Sequence, residues 1–285
     1  MNILTFDIEE WFHVLEHDST KTANEWHHYE SRIHGNMERI FEVLDDVKLK
    51  ATFFCLGWIA EKYPKIVKEI TARGYEVGTH TAMHQLIYEQ GPGVFGKDIE
   101  YSIKTLEDIA GKKIRCFRAP GFSLREDNKW AFEVLTDLGI EIDSSIFPAQ
   151  RAHGGFPSYK EPFPSILKYN GITLKELPIN YASVFGKPVI YSGGGYFRLF
   201  PYPLIKYWTN KTAYVMTYFH PRDFDPGQPV IKDLSFMRKF KSYVGLSGAF
   251  NKFRKLINDF DFIDIAEADK MIDWGRVPVV NIGSL

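Results

Sequence analysis

Short apolar runs alternate with amphipathic helical segments through the first half of the chain. Apolar residues at helical spacing predict helices, and the short runs between them predict strands. In chain order the predicted elements are strand 2–6, helix 36–48, strand 51–55, helix 58–72, strand 75–79, helix 95–110, strand 114–118, helix 127–138 and strand 140–143. This order is typical of parallel strands joined by right-handed helical crossovers.

Residues 147–210 interrupt the alternation, because this segment is rich in Pro and Gly. A hairpin is predicted over 166–177, with its turn at Asn170-Gly171, since Asn-Gly favours two-residue hairpin turns. We interpret 147–210 as a long insertion before the last catalytic strand, and not as a separate domain.

The alternation resumes with a strand expected over 213–219, a helical region over 233–259 and a last strand near 261–265. The helical region is rich in aromatic residues beside lysines. We expect it to pack on the barrel, with contact to a partner or a membrane surface as the alternative. Residues 1–285 are therefore expected to form one α/β domain whose C-terminal part, 233–285, is largely helical.

Composition narrows the class of protein. Of the 285 residues, 45% are hydrophobic, and 35 basic residues nearly balance 36 acidic ones. The net charge of -1 argues against a nucleic-acid partner, which requires a basic excess on one face. The acidic residues near the N-terminus argue against a secretion signal, and no run is long enough to span a bilayer, so the expected compartment is the cytoplasm. Cys55 and Cys116 lie in apolar runs and are expected to be buried thiols.

Polar side chains follow several predicted strands at their C-terminal ends. They are Asp7, His80, Arg118, Asp143 and His220. Strand ends converge at one rim of a parallel α/β barrel, and active sites are built there. These five residues are therefore candidates for a common functional site.

His80 and His84 have the HxxxH spacing, which brings two imidazoles to one side of a helical turn, where both can bind one divalent metal. Because the chain has nine histidines, a chance pair of solvated or capping histidines is the alternative. The usual third ligand is a carboxylate. Asp7 and Glu9 project to the same side of an extended strand, which favours this pair over Glu10. Solvation of a loop by these acidic residues is the alternative.

Arg118 can orient the carboxylate of Asp7 by a bidentate contact, and a purely structural ion pair would use the same contact. His220 follows a predicted strand and is held by Pro221. It is a candidate general acid for a leaving amine, with an ordinary core or loop histidine as the alternative.

The ordered segments TFD, GTHTAMH, FRAPGFS, IDSSIFP and YFHP resemble the polysaccharide deacetylase family, carbohydrate esterase family 4. The segment GGGYFRLFPYP is similar to part of the exosortase-associated exopolysaccharide deacetylases, the subgroup that the chain resembles most closely. The resemblance implies a distorted (β/α)7 barrel of parallel strands. It also implies a metal-dependent hydrolase that removes N-acetyl groups from N-acetylated sugars of a bacterial polysaccharide or its precursor.

The resemblance further implies a role for each site residue. Asp7 would be the catalytic base, oriented by Arg118, and His220 the general acid. His80 and His84 would bind a divalent metal, with zinc as the expected ion. Many members have a second aspartate directly after the base, where this chain has Ile8. Members with a D-x-D pattern take the ligand two residues after the base, which here is Glu9.

Further residues are expected to contact a carbohydrate substrate. Trp11, Tyr196 and Phe219 offer aromatic faces for a sugar ring, with ordinary packing as the alternative for each. The complete set of substrate-contact candidates is Trp11, Pro120, Gly121, Phe122, Asp143, Tyr196 and Phe219. Two rival functions are a deformylase or deacetylase of a small nucleotide- or lipid-linked sugar and, because of Ile8, a catalytically silent carbohydrate-binding protein. The sequence indicates neither an oligomeric state nor a membrane association.

Overall fold

The computed structural model describes residues 1–15, 17–150 and 153–285. Strands and helices alternate through its first half, as the sequence predicts. The strands are β1 (Asn2–Ile3), β2 (Thr5–Ile8), β3 (Thr52–Cys55), β4 (Glu76–Thr79), β5 (Cys116–Phe117) and β6 (Ile142–Asp143). The helices are α1 (Ala23–Trp26), α2 (Ile33–Val47), α3 (Gly57–Lys62), α4 (Pro64–Ala72), α5 (Pro92–Ala110) and α6 (Trp130–Asp137). The predicted helix 58–72 is divided in two because Pro64 begins a new helix, a position where proline is favoured.

The second half mixes short strands with helices. Its strands are β7 (Ser165–Tyr169), β8 (Ile172–Glu176), β9 (Ala182–Val184), β10 (Lys187–Val189), β11 (Val215–Met216) and β12 (Val279–Asn281). Its helices are α7 (Gly194–Leu199), α8 (Tyr202–Lys211), α9 (Phe236–Tyr243), α10 (Leu246–Asp259) and α11 (Ile265–Met271).

The central sheet has the strand order β12-β7-β8-β6-β5-β4-β3-β2, and its pairs are parallel except for the antiparallel pair β7 and β8. The hairpin predicted over 166–177 is confirmed, with positive φ at Asn170 and Gly171. The structure adds where this hairpin lies. Because β8 pairs with β6, the hairpin belongs to the central sheet and is not an excursion from it.

At the other edge of the sheet, β1 leads directly into β2 and pairs in parallel with β11 in a separate two-stranded sheet. Between β8 and β11 the described residues form no strand pair. Side chains span this gap: the Met216 N–H donates to Asn180 Oδ1 at 2.9 Å, and the Tyr214 hydroxyl donates to the carbonyl of Pro178 at 2.9 Å. The result is a mostly parallel α/β sheet that curves towards a barrel.

The helical region predicted near the C-terminus is confirmed, whereas the strand predicted after it is not formed. The helical region 233–259 is divided into α9 and α10 at Gly245, which has φ +68°. The strand expected near 261–265 is reduced to one bridge between Ile263 and Ile3, because the side chain of Asp264 caps α11. α10 packs on the core, whereas α9 buries none of its residues.

An aromatic cluster lies behind the strand ends. Phe6 stacks on Phe53 with 5.1 Å between ring centroids, and Phe219 meets Phe253 edge to face at 5.3 Å. These rings come from β2, β3, the segment that follows β11, and α10. Their packing therefore fixes the strands that carry the polar residues. Within the described residues, no helix is long and apolar enough to cross a membrane.

Candidate active site

Glu9, His80 and His84 converge at the C-terminal ends of β2 and β4. The Oε1 atom of Glu9 lies 2.9 Å from Nε2 of His80 and 2.9 Å from Nε2 of His84. The three side chains are buried, and their ligand atoms all lie within 4.8 Å of one another. Two imidazole nitrogens and one carboxylate oxygen are a donor set that suits a divalent metal.

The orientation of His80 supports this fit. Its Nδ1 atom lies 2.7 Å from the backbone carbonyl of Arg118, which can only accept a hydrogen bond. Nδ1 therefore carries a proton, and Nε2 is the ring atom that faces Glu9 and would bind a metal. An outer hydrogen bond of this kind fixes both the tautomer and the ring orientation of metal-binding histidines.

The loop that carries the histidine pair is not helical, which corrects the expected helical turn. His84 has φ +53° and Thr81 has φ +71°, so the chain folds back sharply between them. Asp98 in α5 holds this loop, because its carboxylate accepts the backbone N–H groups of Ala82 and Met83 at 2.7 and 3.1 Å. The two imidazoles of the HxxxH motif thus come together through a tight loop.

The electrostatics keep Glu9 ionised. Burial raises the pKa of Glu9, but His84, His220 and His80 outweigh burial and hold that pKa well below its usual range. A carboxylate binds a metal only in its deprotonated form. The charge state of Glu9 therefore agrees with the fit of the donor set.

Asp7 is held beside this cluster by Arg118. Nη1 of Arg118 donates to Asp7 Oδ1 at 2.8 Å, and both side chains are buried. The remaining guanidinium nitrogens donate to the carbonyl and hydroxyl of Ser144 at 3.1 and 2.9 Å. Arg118 also lies over the ring of Phe54, 4.3 Å from its centroid. These contacts fix the guanidinium and, through it, the carboxylate of Asp7.

His220 lies on the other side of Asp7. Its Nε2 atom is 3.8 Å from Asp7 Oδ2 and 3.9 Å from Glu9 Oε1, while Nδ1 lies 3.0 Å from Asp223 Oδ2. Burial lowers the pKa of His220, but the carboxylates of Glu9, Asp223 and Asp7 outweigh it and raise the pKa to about 9. With these neighbours, His220 is a protonated imidazole that can give up a proton.

These residues open onto a cleft with a volume of about 390 Å³. Asp7, Glu9, His84 and His220 line it, together with Gly121 and Phe122 from the predicted substrate-contact set. A larger hollow of about 530 Å³ lies elsewhere, around Lys50, Glu76 and Lys270. Within the described residues the metal-ligand cluster is at the smaller cleft, so we take that cleft as the candidate site.

Other members of the predicted substrate-contact set do not line this cleft. Trp11 and Phe219 are buried, because Trp11 packs on Tyr29 and Phe219 packs on Phe253. Pro120 is also buried, and Tyr196 is on the surface, 42% exposed. For Trp11, Phe219 and Pro120 the predicted substrate contact disagrees with their burial, whereas for the exposed Tyr196 it stays a prediction.

Asp143 is likewise enclosed and does not line the cleft. Burial raises its pKa to about 6, although its carboxylate accepts a hydrogen bond from Ser145 Oγ at 2.5 Å. The neighbouring Glu176 is also buried and its pKa is raised well above the usual value, first by burial and then by Asp143. Asp143 is therefore part of a buried carboxyl pair, and a contact with substrate does not agree with this position.

Sequence reasoning missed several residues of the cleft, and Asp223 and His13 lie nearest to its polar cluster. Asp223 follows His220 by three residues, and this capping spacing was the available signal. His13 also lines the cleft, with its ring centroid 5.8 Å from that of His84. Its Nδ1 accepts the N–H of Glu10 at 3.3 Å, and burial holds its pKa well below the usual value. A lone histidine in WFHVL carries no comparable spacing signal.

Comparison with known proteins agrees with this geometry. Residues 4–142 match the polysaccharide deacetylase family, and residues 144–270 match a domain of unknown function, DUF3473. Residues 4–142 are therefore a polysaccharide deacetylase domain of carbohydrate esterase family 4, and the two regions follow one another as they do in exosortase-associated deacetylases. That family is metal-dependent.

Two curated relatives match part of the first half. The chain is 35% identical over 96 residues to a peptidoglycan-N-acetylglucosamine deacetylase of Bacillus cereus, covering 33% of this chain and 35% of the relative. It is 35% identical over 86 residues to a chitooligosaccharide deacetylase of Azorhizobium caulinodans, covering 28% and 39%. The matches thus span little more than a third of these relatives' lengths.

Solved structures share the fold over nearly the whole chain. A polysaccharide deacetylase homologue from Mycobacterium smegmatis has a TM-score of 0.64 at 17% identity, covering 97% of this chain and 91% of that one. A pseudoenzyme of carbohydrate esterase family 4 from Bacillus anthracis has a TM-score of 0.50 at 12% identity, covering 98% and 66%. At these identities the likeness concerns the fold alone.

Proposed function

We propose that the protein is a metal-dependent hydrolase that removes N-acetyl groups from N-acetylated sugars of a bacterial polysaccharide or its precursor. One observation carries the proposal: the cluster of Glu9, His80 and His84 shares a cleft with Asp7 and His220. The names of the B. cereus and A. caulinodans relatives support amide hydrolysis on acetylated sugars.

Glu9, His80 and His84 would hold the metal, and we propose zinc, because two histidines and one carboxylate are a frequent catalytic zinc set. When bound, a divalent cation would polarise the acetamide carbonyl and lower the pKa of a coordinated water. This proposal assigns the ligand role to Glu9, two residues after Asp7, in a chain that has Ile8 where many relatives have an aspartate. The additional methylene group of glutamate, compared with aspartate, allows its carboxylate to reach both histidines.

Asp7 and His220 would move the protons of the reaction. Asp7 would accept the proton of the attacking water, and Arg118 would hold its carboxylate in position. His220 would deliver a proton to the departing amine nitrogen, since the surrounding carboxylates raise its pKa to about 9. Gly121 and Phe122 would form part of the cleft wall against the sugar.

We also propose that residues 1–285 act as one domain. The pairing of β8 with β6 supports this, because it joins the region that matches DUF3473 to the sheet of the deacetylase region. The insertion expected over 147–210 would then supply both a sheet hairpin and the cleft residues of α7. The cytoplasmic location stays a prediction from the sequence.

The proposal is tested by measuring acetate release from N-acetylated chitooligosaccharides and peptidoglycan fragments with the zinc-supplied protein. Asp7→Asn and His220→Ala should each abolish release while circular dichroism shows an unchanged fold. Full activity in either variant would contradict the assigned roles. Sugar binding without turnover under Zn²⁺, Co²⁺ or Mn²⁺ would support the rival function of a silent binding protein.

A further inference from the structure

The cleft lining contains two regions of opposite charge. Asp7 and Glu9 lie at the metal-binding end. The second half of the chain adds a group of cationic side chains to the same lining, and within the described lining it adds Asp223 as a carboxylate. The cationic side chains are Arg198, Arg222, Arg238 and Lys241.

Two of these cations have protein partners. Nε of Arg198 lies 3.0 Å from Asp223 Oδ1, and the same guanidinium donates to the backbone carbonyl of Ser242 at 2.8 Å. Arg238 donates to the backbone carbonyl of Leu15. Arg198 and Arg238 therefore hold the walls of the cleft together.

The other two cations form no ion pair with the residues that the structure describes. Nε of Arg222 donates to Gln228 Oε1 at 3.1 Å, but Nη2 of Arg222 is buried and has no hydrogen-bond partner among residues 1–15, 17–150 and 153–285. Lys241 is exposed, and within the same residues it makes no ion pair. Leaving a buried charged donor unpaired is unfavourable, so an acceptor from outside the protein is expected at Arg222.

We infer that the cleft binds an N-acetylated sugar that carries an anionic group, a phosphate or a carboxylate, with Arg222 and Lys241 contacting the anion. This inference rests on the proposed deacetylation, because that function assigns the acetamide group to the end of the cleft at Glu9. Guanidinium and ammonium groups recognise both anions. A neutral sugar could offer a hydroxyl oxygen to Nη2 of Arg222, but it would leave the positive charges of Arg222 and Lys241 uncompensated. The cleft volume of about 390 Å³ lies within the usual range of ligand pockets.

The test compares binding of three probes to the zinc-supplied protein of residues 1–285 by calorimetric titration. They are N-acetylglucosamine, N-acetylglucosamine 1-phosphate and an N-acetylglucosamine–glucuronic acid disaccharide. At least one anionic probe should bind about tenfold or more tightly than the neutral sugar, because charge-assisted hydrogen bonds add to affinity. Preference for the phosphate identifies a phosphate-linked precursor, and preference for the uronate identifies an acidic polysaccharide.

Variants distinguish anion binding by Arg222 and Lys241 from anion binding at the metal. Lys241→Gln and Arg222→Gln should each remove most of the preference for the anionic probe. Lys241 is exposed, so its variant tests the inference even if Arg222→Gln folds poorly. Lys239→Gln is the matched control, since it removes the same charge from α9 and does not line the cleft.

Equal affinity for neutral and anionic probes would overturn the inference. So would a preference that Lys241→Gln leaves unchanged. Acetate release from neutral chitooligosaccharides is measured in parallel. If no acetylated substrate releases acetate, the proposed function is contradicted. The binding comparison would still decide whether Arg222 and Lys241 recognise an anion.

Discussion

Asp223 contacts His220 at two points with the same oxygen: Oδ2 accepts the backbone N–H of His220 at 2.9 Å and lies 3.0 Å from Nδ1 of its ring. The other oxygen of Asp223 lies 3.0 Å from Nε of Arg198. These contacts leave Nε2 of His220 facing Asp7 and Glu9. Arg198 and His220 outweigh burial and lower the pKa of Asp223, which keeps it an ionised acceptor.

Asp223→Asn should therefore reduce catalysis without removing the metal. The amide cannot provide the same ionic acceptor for Nδ1–H, so the imidazole would lose both its orientation and part of its raised pKa. We expect kcat for acetate release to fall about 100-fold, with a smaller change in KM. Asp233→Asn, at an exposed position, should have no effect. Unchanged kcat in Asp223→Asn would rule out the positioning role.

A separate prediction concerns the metal content of the site. We expect about one equivalent of zinc in the native protein by elemental analysis after dialysis, and well under one in His80→Ala and in His84→Ala. His34→Ala, on the exposed face of α2, should retain the full amount. Native-like zinc content in both cleft variants would show that these histidines are not the ligands.

Glu9→Asp tests why a glutamate occupies this position. A single oxygen of Glu9 reaches both imidazoles at 2.9 Å. Aspartate is shorter by one methylene group, so it should bind zinc more weakly than the native protein, although the charge is the same. Competition with a zinc chelator measures the affinity. Equal or tighter binding by Glu9→Asp would mean that the length of Glu9 is not matched to this site.

The strand-end residues could be predicted from the sequence because their placement follows from local geometry. The two-residue strand period puts Asp7 and Glu9 on one side, and both line the cleft. The spacing of His80 and His84 also identified two histidines whose imidazoles lie together in the structure. The spacing could not reveal that the two histidines lie in a non-helical loop, since the positive φ of His84 depends on contacts of this loop with Asp98 in α5.

The remaining features depend on long-range packing. Trp11 and Phe219 were assigned to sugar contact because composition cannot distinguish an aromatic wall from an aromatic core, and neighbouring rings decide the matter. The hairpin was predicted from its Asn-Gly turn, but its membership of the central sheet depends on pairing between β8 and β6. No local pattern in the chain specifies that partner.

Arg118 is expected to be essential for stability as well as activity. Arg118→Met would leave the buried carboxylate of Asp7 without its cation, which typically lowers the free energy of unfolding by about 3–5 kcal/mol. Arg118→Lys keeps the charge but cannot reach Asp7 and Ser144 together. Its free energy of unfolding should therefore fall, but by less than that of Arg118→Met. Urea unfolding measures both, with Arg254→Met on the exposed face of α10 as the control. A loss no larger than that of the control would contradict the ion-pair argument.

Glu76 should make the stability of the fold depend on pH. Burial raises its pKa from 4.5 to about 7, although its carboxylate accepts hydrogen bonds from Thr52 Oγ1 at 2.6 Å and from the Ala266 N–H at 3.0 Å. Between these two values the folded protein keeps a proton that the unfolded chain has lost. The free energy of unfolding therefore falls as pH rises through this interval, and the contribution is lost above about pH 7.

Glu76→Gln has no such titration, and its side-chain oxygen can still accept both hydrogen bonds. Relative to the native protein, the variant should gain up to about 3 kcal/mol between about pH 5 and pH 8. Urea unfolding at both pH values measures this difference, and Glu42→Gln, exposed on α2, controls for the change in net charge. If the difference between Glu76→Gln and the native protein is the same at both pH values, Glu76 is ionised in the fold at pH 5, and its burial does not retain the proton.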